Sequence, residues 1–231
     1  YAYLYFSIKK KMTLKCGIVG LPNVGKSTLF NCLSKSRAQS ANFPFCTIEP
    51  NIGVIIVPDD RLERLSSLVK PKRVEPTTIE IVDIAGLVKG ASNGEGLGNK
   101  FLSNIRETDA IIHVLRCFND ENIVHVHGNI NPTRDKETID IELQLKDLEV
   151  LEKKRDKYQK IVKSGNKEAG KIVDVINKYI DHLESGYSVR SLNVIKNESQ
   201  ITNDLSLLTA KPILYVCNVD ESAVKNGNKY V

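Results

Sequence analysis

Apolar residues along this chain switch between two spacings. Short continuous or alternating runs predict β-strands at Leu14–Val19, Gly53–Pro58, Thr77–Asp83, Ala110–Arg116 and Lys211–Cys217. Between them, apolar positions recur at helical intervals: Leu29, Phe30 and Leu33; Leu62, Leu65 and Leu68 within Asp60–Val69; and Phe101, Leu102 and Ile105. Strands alternating with helices predict an α/β fold, a mostly parallel sheet with helices on both faces. From Asn131 the pattern changes. Thr138–Lys163 is rich in Glu, Lys, Leu and Ile, with Leu143, Leu145, Leu148, Leu151 and Tyr158 at near-helical spacing. After a break at Ser164-Gly165-Asn166, Ala169–Leu183 carries Ile172, Val175, Ile176, Tyr179 and Leu183 on one stripe. Two charged helices joined by a turn predict an antiparallel hairpin standing off the sheet domain, the alternative being extra helices packed on the sheet, with a third short helix over Ile201–Leu208.

The predicted division is therefore a leader over 1–11, a first sheet segment over 12–132, a helical insert over 133–208 and a return to the sheet over 209–231. Tyr1–Lys11 places its lysines after its apolar run, the reverse of a signal peptide. Met12, the only methionine, is read as the native start, and residues 1–11 as upstream or expression-derived. A chain of 231 residues with 41% hydrophobic content supports one sizeable domain with an insert. No apolar run is long enough for a helix to span a bilayer, which argues against a membrane partner. The formal charge of +5 permits contact with nucleic acid without demanding it, and nothing points to sequence-specific DNA binding. The five cysteines are scattered with no C-x-x-C pair, the usage of a reduced, cytoplasmic protein.

Chemistry concentrates at Gly20-Leu21-Pro22-Asn23-Val24-Gly25-Lys26-Ser27-Thr28, which fits G-x-x-x-x-G-K-[ST] between a predicted strand and a predicted helix. Its glycines permit tight turns and close approach of backbone to ligand. The following amides lack helical acceptors, and the helix dipole makes that end positive, so a polyphosphate suits it. Lys26 would reach the β- and γ-phosphates, Ser27 would ligate Mg²⁺, and Thr28 would support the α/β-phosphates. Asp83-Ile84-Ala85-Gly86 is D-x-x-G at a strand's carboxyl end: Asp83 can hold Mg²⁺ through water, and the Gly86 amide can meet the γ-phosphate. Lys26 and Gly86 are the candidate catalytic groups. Thr47, in a proline-bracketed loop, is the candidate second Mg²⁺ ligand.

Leu87 stands where many P-loop hydrolases carry a water-orienting glutamine, so another group positions water or turnover waits on a partner or a cation. Asn23 is one candidate, as a ligand for a monovalent cation such as K⁺; the alternative is an asparagine capping its own loop. The five glycines within Gly86–Gly98 predict a segment that is mobile without ligand. His113, within a buried strand, is read as a satisfied core histidine. His125 and His127 alternate along Ile123–His127, read as a surface hairpin rather than a metal site. Asn218-Val219-Asp220-Glu221 occupies the base-reading position. A guanine site of this class wants Asn-Lys-x-Asp; here Val219 replaces the lysine and Glu221 the aspartate. Guanine selectivity is lost, leaving Asn218 and the Val219 backbone to hold a purine.

In these stretches the chain resembles the Obg-like ATPases of the YchF type, within the translation-factor-related P-loop proteins. The resemblance rests on Gly20–Thr28, Asn42–Asn51, Asp83–Ala91, Gly94–Leu102, Asp109–Phe118 and Asn218–Glu221, covering most of Met12 to Glu221. It implies a Ras-like nucleotide domain interrupted by an α-helical coiled-coil insert, ATP preferred over GTP, slow hydrolysis with Mg²⁺, and the ribosome or a ribosomal subunit as partner. It also implies Ser27 and Thr47 as metal ligands, Asn23, Val24, Gly25, Lys26, Ser27 and Thr28 as the phosphate-binding run, and Val219 as a backbone contact to nucleotide. A hydrophobic residue at Leu87 is a family trait. Family members continue into a small β-rich domain of the TGS type, and the sequence ending at Val231 is read as a fragment lacking it. Two alternatives stand beside this: a GTPase of the same fold, and a nucleotide-gated adaptor whose output is partner binding through the helical arm.

Overall fold

The computed structural model describes residues 13–35, 52–84, 97–193 and 205–231. Thr47, Gly86, Leu87, the glycine-rich segment up to Gly96 and the first half of the expected helix over Ile201–Leu208 lie outside the described residues. Five strands, β1 (Leu14–Val19), β2 (Ile52–Ile56), β3 (Thr78–Asp83), β4 (Ala110–Arg116) and β5 (Ile213–Asn218), form one sheet in the order β2-β3-β1-β4-β5. All neighbours run parallel except β2 against β3. The four parallel strands thus end on the same side. Ile18 lies opposite Asp83, Val19 opposite His113 and Arg116 opposite Asn218. That register gathers the phosphate loop, Asp83, Arg116 and Asn218 on one rim, where open α/β sheets bind ligands.

The helices are α1 (Lys26–Lys35), α2 (Asp60–Val69), α3 (Leu97–Arg106), α4 (Pro132–Val162) and α5 (Lys167–Glu184). Their ends follow local chemistry. Asp59 caps α2 by accepting from the Arg61 amide, and Lys70, at φ 45°, turns the chain out of it. Asn131 caps α4 through the Arg134 amide, with Pro132 in its first turn; Asn166 caps α5 through the Ala169 amide. Both insert helices begin earlier than apolar spacing predicts, because the cap, not the first apolar residue, sets the start. Leu208–Ala210 forms a 3-10 turn, so the C-terminal end of the expected third helix is not α-helical.

Two apolar clusters divide the molecule. Ile18, Val19, Leu21, Val24, Ile81, Ile84, Phe101, Leu102, Ile105, Ile111 and Val114 form the sheet core, which also takes in Ile139 and Leu143 of α4. Leu151, Ile176, Tyr179, Ile180 and Leu183 join α4 to α5, with Val189, Leu205 and Leu207 at their root. The first half of α4 therefore packs on the sheet, and only its far end leaves it: no residue from 152 to 168 is buried. At the root, the buried Asp147 carboxylate accepts from the Leu208 and Thr209 amides and the Thr209 hydroxyl, at 2.7–2.8 Å. Burial pushes the Asp147 carboxyl up, and these donors oppose the push.

Two expectations change here. His113 is fully buried, but neither ring nitrogen has a partner, so it is a core histidine left unsatisfied. Burial lowers its pKa to about 4. Ile123–His127 is not a strand, and His125 is buried against the insert: its Nε2 lies 2.9 Å from Asp135 Oδ2 on α4. Alternation suggested a hairpin, yet no partner strand pairs there. On α2 the predicted apolar stripe exists but is uncovered, with Leu68 80% exposed.

Candidate functional site

The phosphate loop is built by exclusion. A Cβ on Gly20 would lie 2.5 Å from the Val114 carbonyl oxygen of β4. One on Gly25, at φ +100°, would lie 2.4 Å from Asn218 Nδ2. Only glycine lets the loop settle this close to the sheet rim. Val24 puts its side chain into the core, 1% exposed, which leaves its backbone for function. The helical hydrogen bonds of α1 begin with the Leu29 amide donating to the Gly25 carbonyl, 2.9 Å. The amides of residues 25 to 28 precede it and lack helical acceptors, a cradle for anionic oxygens.

Side chains complete the cradle. Lys26 is nearly buried and donates from Nζ to the Leu21 carbonyl at 2.7 Å, which folds its ammonium back over the loop. Burial lowers its pKa, and the Asp83 carboxylate opposes that shift. Ser27 Oγ donates to Asp83 Oδ2 at 2.9 Å. Two residues 56 positions apart, each expected at a metal, thus meet at the end of β3. A hydroxyl beside a carboxylate is the oxygen donor set that a hard divalent cation takes. Thr28 is exposed on the first turn of α1. Asn218 donates from Nδ2 to the Val24 carbonyl at 3.0 Å, so β5, whose end carries the expected base motif, also holds the phosphate loop. Val219 follows, half-buried, and Asp220 and Glu221 are exposed where a 3-10 turn begins.

Asn23, at φ +62°, does not cap its own loop. Its Nδ2 donates to the Val124 carbonyl, 101 residues away, at 3.1 Å. Thr47 and Gly86, expected at this site, lie outside the described residues. Among the described residues no three His, Cys, Asp or Glu side chains gather as a metal cluster, and His125 with His127 do not form one. Cys16, Cys32, Cys117 and Cys217 are free thiols.

One residue of the rim escaped the sequence reading. Arg116 closes β4, is 2% exposed, and donates to three carbonyls: Phe118 by Nε at 3.3 Å, Ile123 by Nη1 at 2.9 Å and Asp120 by Nη2 at 3.0 Å. Its guanidinium also stacks over the Phe118 ring at 4.7 Å. The available signal was an arginine ending a run that is apolar except for His113, since an unpaired charge is not buried there at low cost. Nothing local announced the meeting of His125 with Asp135.

Comparison with known proteins agrees with this architecture. The family model described as "50S ribosome-binding GTPase" matches residues 15–178. The chain is 55% identical over 216 residues to a Pasteurella multocida protein named ribosome-binding ATPase YchF, covering 94% of this chain and 60% of that one. It is 52% identical over 222 residues to the Bacillus subtilis protein of the same name, covering 95% and 61%. The solved structure of the Schizosaccharomyces pombe YchF GTPase superposes with a TM-score of 0.82 at 42% identity, over 94% of this chain and 60% of that chain. The chain thus spans about 60% of the length of the curated relatives it matches. With a family model over residues 15–178, relatives above 50% identical and a solved structure superposing over 94% of it, the chain belongs to the 50S ribosome-binding GTPase family, in its YchF, Obg-like branch.

Proposed function

We propose that this chain binds ATP together with Mg²⁺ and hydrolyses it slowly, with water as the nucleophile, in the service of a ribosome-associated protein of the cytoplasm. The observation that carries this reading is the meeting of Ser27 and Asp83 at 2.9 Å beside the Lys26 ammonium. Ser27 and Asp83 would hold the metal, with Thr47 as the further ligand that the resemblance implies. When bound, Mg²⁺ supplies positive charge against the β- and γ-phosphate oxygens. The chain's own part is electrostatic. Lys26 and the amides of residues 25 to 28 stabilise the negative charge that grows on the transferred phosphoryl group, and the Gly86 amide would add to them. The amides of residues 25 to 28 are oriented by the loop and the first turn of α1 before substrate arrives, so little reorganisation of them opposes the reaction.

The preference for ATP over GTP is what the family resemblance implies, and it agrees with Val219 and Glu221, which replace the lysine and aspartate of a guanine reader and so remove guanine selectivity. Asn218 donates to Val24 from Nδ2, so it helps fix the loop while its side-chain oxygen remains to hold a purine together with the Val219 backbone. Ribosome contact is assigned to the insert, residues 133–208. Its far half, residues 150–178, carries nine lysines and arginines against four carboxylates, the whole formal excess of the chain. An arm of that sign suits a polyanionic surface. A role for K⁺ at Asn23 belongs to the same proposal, through the side-chain oxygen that the Val124 contact does not use.

Titration calorimetry with ATP and with GTP, each with and without Mg²⁺, tests the nucleotide reading. ATP should bind more tightly than GTP, and both should weaken without the metal. A clear preference for GTP would overturn the base argument, and indifference to Mg²⁺ would overturn the Ser27–Asp83 assignment.

A further inference from the structure

We propose that Arg116 is a positioning residue for the phosphate loop, acting through the segment that follows β4. This rests on the reading of Gly20–Thr28 as the nucleotide site. The segment after Arg116 has no strand or α-helix until Pro132, and a coil of this kind holds its shape only through specific contacts. Arg116 supplies them from below. Its buried guanidinium draws the Phe118, Asp120 and Ile123 carbonyls toward one centre. The next carbonyl along, that of Val124, faces outward and accepts from Asn23 at the crest of the phosphate loop. The Val124 side chain is 76% exposed, so this residue touches the loop through its backbone and not by apolar packing.

The chemistry fits a positioning role. Asn23 sits at φ +62°, a left-handed conformation that asparagine adopts more readily than other non-glycine residues, and its Nδ2 bond to the Val124 carbonyl fixes its side chain there. Its neighbour Val24 is held by Asn218 on the other flank, at 3.0 Å. The crest of the loop is therefore gripped from two strands: β5 through Asn218, and the end of β4 through Arg116 and Val124. A guanidinium is suited to this because its fork of donors serves several acceptors at once; a lysine ammonium on the same stem lacks that planar spread. Neither Arg116 nor Val124 lies in the Gly20–Thr28 run itself.

A double-mutant cycle on the full 231-residue chain tests the idea, using a fluorescent ATP analogue with Mg²⁺ as probe and circular dichroism as the check on folding. Arg116→Met should weaken analogue binding about fivefold to tenfold, the loss of one or two hydrogen bonds' worth of organisation. Asn23→Ala should weaken it by a similar factor. In the Asn23→Ala background, Arg116→Met should add less than about twofold, since the contact it supports is already gone. If the two effects multiply, or if Arg116→Met leaves binding unchanged, the positioning role is wrong. Arg116→Lys keeps the charge and stem and serves where the methionine variant does not fold; the same non-additivity is expected of it. Lys26→Ala separates this from the underlying reading. If that variant still binds the analogue like the parent, the site assignment has failed, whereas loss with Lys26→Ala and an additive Arg116 effect defeats only the positioning role.

Discussion

The rim of the sheet and the helical arm are stabilised by opposite means. At the rim, the contacts that matter join residues far apart in sequence: Ser27 to Asp83, Asn23 to Val124 and Asn218 to Val24, spanning 56, 101 and 194 positions. Each is one hydrogen bond, and each depends on the strand register that brings the pair together. In the arm, α4 and α5 meet along a stripe set by helical period, and most charged pairs lie three or four residues apart, such as Lys146 with Glu149 and Lys153 with Glu149. The rim is thus exact and brittle, whereas the arm is repetitive and tolerant. On the proposed function, a site that grips a triphosphate needs fixed donors, while an arm that presents charge to a partner needs only length and sign.

Substitutions can break this contrast or sharpen it. The largest effect belongs to Lys26→Ala, which should reduce ATP affinity at least about hundredfold while leaving helicity unchanged; calorimetry and circular dichroism report the two halves separately. Next is Asp147→Ala at the arm's root. It strands three donors that are now satisfied within the fold, so urea unfolding should show a loss of about 3 kcal/mol, far above that of an arm-tip change.

Acid should act through His113. Its pKa falls from an ordinary 6.5 to about 4 in the folded state, because burial disfavours the charged ring. A depressed pKa means the unfolded chain binds the extra proton first. The contribution is fully present above pH 6.5 and is lost as pH falls toward 4, about 2 kcal/mol of it between pH 7 and 5. A His113→Phe variant should flatten that part of a pH–stability curve, and an unchanged slope would count against the assignment. The smallest effect is at the arm. Lys153 is 74% exposed beside Glu149, and Lys153→Ala should cost less than about 0.5 kcal/mol by thermal unfolding.

The chemistry of the phosphate loop was legible because its geometry is local. Glycines, a lysine and a hydroxyl at fixed spacing between strand and helix specify a cradle without help from elsewhere. Strand and helix positions were legible for the same reason, since burial on one face imposes a period. The role of Arg116 was not, because an arginine's partners are carbonyls, and carbonyls carry no sequence signature. The same holds for His125, where alternation suggested an exposed strand. Asp135, ten residues on and in the first turn of α4, takes its ring into the interior.

By itself, then, the sequence determined the order of elements, the phosphate cradle and the presence of a charged helical pair. Each of these follows from spacing within about a dozen residues. The tertiary structure alone decided that Asp83 reaches Ser27, that Asn218 holds the phosphate loop, and that α4 is half core and half arm. It also decided that the apolar face of α2 stays uncovered. Those outcomes depend on strand order and register, which long-range packing sets and which no local window of residues encodes.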